Sequence, residues 1–535
     1  MKTKNNELLA ESTPVLIVGG SLVGLSAAVF LSWRGVANIV VERHVGSSPH
    51  PRAIGYTSRT MELYRPMGLT AQLPQIPSSF RLRRAKVESL SGRWVDVTDW
   101  TPEQKPSVKR EYSPYPGASI AQDHLEPLLR DKAVELGADL RQGTELVRFV
   151  QDSNGVTALV REREGGREYE IRAQYLIAAD GSKSAVREAL GITRMGRGPI
   201  RTIRSVLFRA PLDEYLKSGI SQFEIEQPGL KAFLTTYQDG RWVLMFTDDV
   251  ERDQATLADA IQKAIGRNDL SIEIITTGRW DLSALIADRY AEGRVFLAGD
   301  AAHTLPPTRG GFGANTGIDD VHNLAWKLEA VLSGKSDAKL LETYSSERQP
   351  IGWLRHQQTF ARPDYASVSQ GIAKGEPILD DAAMEFGQLY RSAAILGAGE
   401  DLPAARRPDE WKGQPGTRAP HAWVVRHGEK ISTLDLFQES WVLVAADGAW
   451  QPVVARIANQ LGIDLAFIHL GKEVLTTNQD EYLDALGIGA SGASLVRPDG
   501  YIAWRAAEMP AEPGHALGRV LAQAAFAAKR SGDEQ

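Results

Sequence analysis

The sequence predicts an α/β fold in which a Rossmann-type domain is interrupted by an antiparallel sheet and followed by a smaller α/β domain. Three observations point there. Val15-Leu16-Ile17-Val18 is a short apolar run that ends in glycine, leads into a helix-like stretch and is followed by a second buried run, the pattern of a βαβ unit. Between residues 200 and 281 apolar and polar side chains alternate in short segments, the period of half-buried strands. Beyond residue 418 strand-like and helix-like segments alternate again.

At 535 residues the chain is too long for one hydrophobic core, so two or three domains are expected. Its 43% hydrophobic and 24% charged residues are ordinary for a globular enzyme, and a net charge of -6 argues against a nucleic-acid partner. The cysteine count is zero, which removes disulfides, Cys-ligated zinc, iron–sulfur clusters and thiol nucleophiles together. Val15–Val18 is too short for a signal-peptide core, and no run approaches the roughly 20 apolar residues of a membrane span. A cytoplasmic protein with no membrane partner is expected. No histidines and carboxylates have metal-ligand spacing, so no metal is expected.

Along the chain, Leu25 to Arg34 reads as a helix stopped by Gly35, and Asn38 to Arg43 as the second strand. Residues 73 to 110 are strand-like and irregular, Asp123 to Leu136 is helical, and Tyr175–Ala179 is a buried strand running into Asp180-Gly181. Ser221–Glu226, Phe233–Tyr237 and Trp242–Phe246 read as strands of the inserted sheet. Arg294 to Asp300 returns to the buried style and leads through a Pro- and Gly-rich loop into a helix over 318–333, with helical segments on to about residue 395. Leu402–Arg418 reads as a linker. After it come strand Trp441–Ala446, helix 452–461, strand 464–469, hairpin 494–505 and helix 516–529, an order that resembles a thioredoxin fold. The expected division is 1–72, 100–182 and 282–400 for the dinucleotide domain, 73–99 and 183–281 for the substrate domain, and 401–535 for the last.

Gly19-Gly20-Ser21-Leu22-Val23-Gly24 follows the first strand. In such a turn glycines allow the tight bend, the approach of backbone to a pyrophosphate and the packing of helix on strand. The helix N-terminus favours the negative charge. Ser21 stands where the pattern wants its middle glycine, and its hydroxyl can donate to a phosphate. Glu42 is placed to accept from a ribose diol; an ordinary turn with a solvated glutamate is the bland alternative. Gly487-Ile488-Gly489-Ala490-Ser491-Gly492 satisfies G-x-G-x-x-G letter by letter. It follows a helix and precedes a strand, however, the wrong order for a phosphate cradle, and it reads as a loop. Two further motifs are Asp180-Gly181-Ser182-Lys183-Ser184-Ala185-Val186-Arg187 and the stretch from Gly299-Asp300-Ala301-Ala302-His303 through Pro306-Pro307 to Gly310-Gly311-Phe312-Gly313-Ala314-Asn315. The second is a strand end, an acid and a glycine-rich loop feeding a helix, able to hold another polar part of the same cofactor.

Together and in this order, the motifs resemble the FAD-dependent aromatic hydroxylases, the class A flavoprotein monooxygenases of the para-hydroxybenzoate and phenol hydroxylase type, over roughly residues 14 to 395. The resemblance implies that Gly19, Gly20, Ser21, Leu22, Gly24 and Glu42 hold the ADP half of FAD, with Arg43, Gln122 and the backbone of Leu146 as further contacts. It implies that Asp300 meets the ribityl–pyrophosphate region, that Pro307, Gly310, Gly311, Gly313, Ala314 and Asn315 run beside the isoalloxazine ring, and that Pro51-Arg52-Ala53 lies near that ring. Asp180 with Arg187 would serve FAD and NADPH, the co-substrate. Dioxygen would then add at flavin carbon 4a, and the hydroperoxide would hydroxylate an aromatic polyketide, an anthracyclinone such as aklavinone. Arg52 is the candidate for electrostatic help in catalysis. Phe223, Phe233, Tyr237, Trp242 and Met245, on strands of the inserted sheet, are the candidate substrate contacts. His303 invites an acid–base role, although strand-end histidines often bond only to backbone. A thioredoxin-like tail fits the phenol hydroxylase relatives. Where a redox thioredoxin carries C-x-x-C this chain has Gly448-Ala449-Trp450-Gln451, so the tail's expected role is structural or oligomeric, in a homodimer for example. Baeyer–Villiger or epoxidising oxygen insertion, and a non-catalytic flavin-binding scaffold, are the alternative readings.

Overall fold

A computed structural model describes residues 10–76, 83–99, 110–307, 312–366 and 368–528. Val15 to Ile17 are wholly buried at the centre of a parallel sheet. Its strands run in the order Val295–Leu297, Glu168–Ala178, Ala10–Val18, Asn38–Glu42, Asp139–Gln142. Val15–Val18, Ile39–Val41, Tyr175–Ala178 and Val295–Leu297 are buried at successive positions, which is why they read as continuous apolar runs. The helix Leu22–Trp33 lies against the helix Phe312–Leu332 over this sheet. Strands Thr144–Asp152 and Gly155–Glu162 extend it antiparallel beyond Glu168–Ala178.

The second large sheet is antiparallel except where Gln222–Gln227 runs parallel to Arg83–Val87. Its central strands are Glu273–Ala287, Arg194–Arg209, Arg241–Phe246 and Leu230–Thr236. With period two, one face buries Phe208, Phe223, Leu234, Trp242 and Leu244 against the helix Gln254–Ile265, and the other roofs a cavity. Glu273–Ala287 runs unbroken through the boundary expected between 281 and 282.

The C-terminal region carries a four-stranded sheet, among the described residues, in the order Leu465–His469, Trp441–Ala445, Ala493–Val496, Ile502–Ala506. The first pair is parallel and the rest antiparallel. Gly487 closes the helix Gln479–Leu486 at φ +64° and leads to the strand Ala493–Val496, so the formally perfect glycine motif is a helix stop and loop. Trp450 is wholly buried in the core of this region, its indole N–H donating to the Ser491 carbonyl at 3.0 Å.

Two sequence expectations need correction. The helix expected over 318–333 already runs from Phe312, because its early residues read as part of a glycine-rich loop. Leu402–Arg418 is no free linker: Trp411 and Arg418 are buried, and Arg418 donates to Glu62 Oε1 at 3.0 Å. Its Pro, Gly and Arg content looks solvated only until the buried acid is known.

Charge is what joins the tail to the rest. Arg497, wholly buried, donates to both oxygens of Glu347 at 2.7 and 2.9 Å and grips Asp499 as well. Glu347 also accepts from Lys327 (2.9 Å) and Asn323 (2.8 Å) on the long helix, and Trp326 donates to Asp499 at 3.1 Å. Burial pushes the Glu347 carboxyl up, and the charges of Arg497 and Lys327 more than reverse it, leaving it well below the ordinary carboxylate range. Next along, Arg348 donates to Asp319 (2.7 Å), Asp320 (2.8 Å) and the Thr316 carbonyl (3.1 Å). Removing one member of a buried pair strands its partner and costs about 3–5 kcal/mol, whereas an exposed pair contributes about 0–1 kcal/mol. Arg497→Met should therefore lower unfolding stability by about 3–5 kcal/mol in urea titration, and Arg93→Met, at the exposed pair with Glu88, by no more than about 1 kcal/mol.

Candidate functional site

A cavity of about 1680 Å³ opens at the carboxyl ends of the parallel strands, between the glycine-rich turn, the start of the helix Phe312–Leu332 and the roof sheet. The turn can only be built from glycine. A Cβ on Gly24 would stand 1.8 Å from the Gly19 carbonyl, one on Gly20 2.7 Å from the Glu42 Cβ, and Gly19 has φ +104°. Glu42 fixes the turn from the next strand, accepting from the backbone N–H of Gly20 (2.7 Å) and of His44 (2.8 Å). With one bond on each oxygen, this carboxylate keeps capacity for a ribose diol. Ser21 is used differently from the expectation. Its hydroxyl donates to the buried Glu126 carboxylate at 2.6 Å, and Gln122 donates to both, at 3.0 and 2.8 Å. The side chain therefore does not cap the helix Leu22–Trp33, and the first-turn amides keep their capacity for a phosphate.

Gln122 is the first residue of its helix, and its Oε1 lies 3.4 Å from the N–H groups of Arg52 and Ala53, tying that loop to the turn. Arg52 is exposed and 4.0 Å from Asp300 across the cavity mouth. Asp180 accepts from Val186 N–H at 3.2 Å, while its Oδ1 is buried with no protein partner, an acceptor left for another group; burial raises this carboxyl above its ordinary value. Arg187 is spent on the Ala301 and Ser182 carbonyls, at 3.0 and 3.2 Å, bracing the two later motifs together. Asn315 uses its side chain on the loop opposite, accepting from Thr57 N–H (3.0 Å) and the Thr60 hydroxyl (2.6 Å).

The cavity brings together Ser21, Leu22, Arg52, Gln122, Asp300, Pro307, Gly313, Ala314 and Asn315. Gly19, Gly20, Gly24, Glu42, Arg43, Leu146 and Asp180 lie outside its wall. Arg43 is exposed, and Leu146 packs on the main core with its backbone paired to Val160. Gly310 and Gly311 lie outside the described residues.

Of the five roof candidates, Phe233, Tyr237 and Met245 face the cavity. Phe233 and Met245 are cross-strand neighbours, and the Tyr237 hydroxyl donates to the Pro51 carbonyl at 2.5 Å, fastening roof to floor. Phe223 and Trp242 are corrected: both are wholly buried on the opposite face, each next to cavity-lining neighbours on its own strand, Gln222 and Glu224 for the one and Val243 for the other. His303 is also buried, with Nε2 2.7 Å from Asp320 Oδ2, so it serves the charge lattice and not the cavity. Sequence reasoning missed several wall residues. His50 is bonded to Ser205 (2.8 Å) and edge-on to Trp280, and Arg355 and Glu385 come from beyond the glycine loop. A short polar stretch before the Pro51 loop was the only sequence signal for His50; the others had none.

The chemistry of this donor set fits a flavin dinucleotide: an open helix N-terminus for pyrophosphate, a strand-end acid for ribose, and a second helix start beside a roofed cavity. A family model for an FAD binding domain matches residues 12–359, and one for the C-terminal part of aromatic-ring hydroxylases matches 412–524. The chain belongs to the FAD-dependent aromatic-ring hydroxylases. It is 38% identical to the tetracenomycin A2 monooxygenase-dioxygenase of Streptomyces glaucescens, covering 96% of this chain and 97% of that protein. It is 37% identical to a 4-methyl-5-nitrocatechol 5-monooxygenase of a Burkholderia species, covering 94% and 96%. A crystal structure of aklavinone-11 hydroxylase in a ternary complex with FAD and aklavinone superimposes with a TM-score of 0.85 at 34% identity, covering 96% of this chain and 99% of that one. FAD is thus the cofactor of this hydroxylase, an FAD-dependent monooxygenase, and the scaffold alternative falls away. Among the described residues no group of histidines and carboxylates could hold a metal ion, and no helix is long and apolar enough to cross a membrane. Gly24→Ala, which forces Gly19 out of place, should weaken FAD binding at least tenfold, about 1.4 kcal/mol, as measured by titrating the apoprotein.

Proposed function

We propose that this hydroxylase inserts one atom of dioxygen into an aromatic polyketide, with NADPH as the reductant. The observation that carries the reading is the roof. Phe233, Val243, Met245, Trp280 and Leu282 face a single large cavity that Ser21, Leu22 and Val23 of the FAD turn also line. Ordinary small-molecule pockets measure about 300–1,000 Å³, and about 1680 Å³ leaves room for a polycyclic ring system beside a flavin. The names of the tetracenomycin and aklavinone relatives support the same substrate class, whereas that of the Burkholderia relative names a nitrocatechol.

Bound FAD supplies the electron transfer and oxygen activation that no side chain provides. The chain's own residues bind and shield. The amides at the start of Leu22–Trp33 and the carboxylate of Glu42 would hold the pyrophosphate and ribose. The Tyr237–Pro51 bond closes roof on floor, and the apolar patch of Phe233, Val243, Met245, Trp280 and Leu282 would exclude water from the reacting atoms. Arg52, beside Asp300 at the mouth, would favour a phenolate over a phenol. The tail, whose strand order and directions we read as thioredoxin-like without the redox cysteines, is a structural element that locks the long helix. We keep the three-part domain division given above, with the roof sheet running on to Ala287.

FAD-loaded protein incubated aerobically with NADPH and aklavinone should give a product with one added oxygen as a new phenol on an intact ring system, read by mass and NMR. A ring-expanded lactone would mean Baeyer–Villiger insertion instead. NADPH oxidation with aklavinone and other tetracyclic phenols returned unchanged contradicts the reading.

A further inference from the structure

One arm of the cavity contains polar groups that the fold leaves unpaired. It lies behind Phe312, where the helix Phe312–Leu332 begins, and Arg355, Glu385, Gln388 and Thr316 line it. Arg355 is 7% exposed, its Nε is buried with no hydrogen-bond partner, and it has no ion-pair partner among the described residues. Its guanidinium lies over the Phe312 ring, 4.5 Å from the centroid. Gln388 Oε1 and Thr316 Oγ1 are likewise buried and unpartnered. Glu385, partly exposed to the arm, accepts one bond, from Arg59 N–H at 2.9 Å. Two other buried guanidiniums, Arg348 and Arg497, are surrounded by carboxylates, and that of Arg187 is spent on backbone carbonyls. An unpaired one beside unmet donors and acceptors is a place prepared for a polar group from outside the chain.

We propose that Arg355 and Glu385 form a catalytic subsite that ionises a phenolic hydroxyl of the substrate. The inference rests on the aromatic-hydroxylase reading above and adds a base and a cation to it. The substrate O–H bond breaks, the proton passes to a Glu385 carboxylate oxygen, and the electron pair left on the phenolic oxygen is held by the Arg355 guanidinium. The resulting phenolate is the more nucleophilic form of the ring. No oxidant or further reactant is needed for this step.

The charge environment suits the task. Burial above all pushes the Glu385 carboxyl up, the Arg59 N–H and the Arg355 charge pull it down, Glu62 and Asp381 raise it, and together they leave it at about 7. Arg418 also faces this group. Burial lowers Arg355 to about 10, so it stays charged at neutral pH. A base must be deprotonated to act, so activity should rise with pH through about 7 on the Glu385 limb.

The test uses FAD-loaded protein and aklavinone. Without NADPH, the visible absorbance of the bound probe reports its phenol ionisation against pH; with NADPH, kcat/KM is measured over the same range. In wild type the bound phenol should ionise at least tenfold more readily than in solution. Arg355→Met should abolish that gain and Arg355→Lys restore part of it. Glu385→Gln should lose the limb near 7 and lower kcat by about 10²–10⁴, with Glu385→Asp retaining the limb. Flavin content and thermal unfolding verify that each variant is folded. Wild-type ionisation and limb in both Arg355→Met and Glu385→Gln, with the product still formed, overturns this inference and leaves the hydroxylase reading intact. Failure of the wild type to bind or oxidise aklavinone or any tetracyclic phenol overturns both.

Discussion

Two arginines that never see water, Arg348 and Arg497, hold the helix Phe312–Leu332 between the parallel sheet and the C-terminal region. Taking an ion out of water costs several kcal/mol, and the attraction between partners offsets this only when geometry is good and every donor is used. Here Arg348 reaches Asp319, Asp320, Tyr390 and the Thr316 carbonyl, and Arg497 reaches Glu347 and Asp499. Asp320 passes the constraint on, accepting from Gly299 N–H at 3.2 Å and sitting 2.7 Å from His303 Nε2. The strand end that presents Asp300 and the helix start that faces the cavity are thus positioned by one lattice. Such a lattice has one satisfied arrangement, which makes it a register device as much as a source of stability.

Some of the buried polar groups that go unmet gather at the cavity. Buried polar atoms in native structures are nearly always paired, and exceptions call for a cause. In the lattice the arginines, acids and Lys327 find one another. At the cavity they do not: Asp180 Oδ1 near its rim, and Arg355 Nε, Gln388 Oε1 and Thr316 Oγ1 in its wall, have no protein partner. A cofactor at one end and an aromatic substrate at the other give both sets a reason. The roof adds an apolar patch, Phe233, Val243, Met245, Trp280 and Leu282, set among polar strand residues and fastened to the floor through Tyr237.

How much of this the sequence could show depended on the range of the interaction. The βαβ unit was legible because Val15–Val18 and the glycine turn carry their own reasons locally, and context alone rejected the motif at Gly487. The alternation in the inserted sheet was legible too. Its sidedness was not, because period two says that Phe233 and Met245 oppose Phe223 and Trp242 only after the strand register is known. The lattice left a misleading trace: Asp319, Asp320, Asn323 and Lys327 make the long helix look solvated on a face that is buried. Arg418 made a docked segment look like a linker in the same way. Arg355 and Glu385 belong to no motif, and only the fold brings both to the cavity wall, Arg355 over the Phe312 ring.

Hydrogen exchange of the apoprotein with and without FAD tests the central claim most directly, because it reports the glycine turn, the Pro51 loop and the long helix together. The account predicts added protection at Gly20–Val23, at residues 51–56 and over the first turn from Phe312, with little change around Glu347 and Arg497, which are already locked. Protection confined to the C-terminal sheet, or FAD binding that leaves the amides after Phe312 exchanging as before, would contradict it.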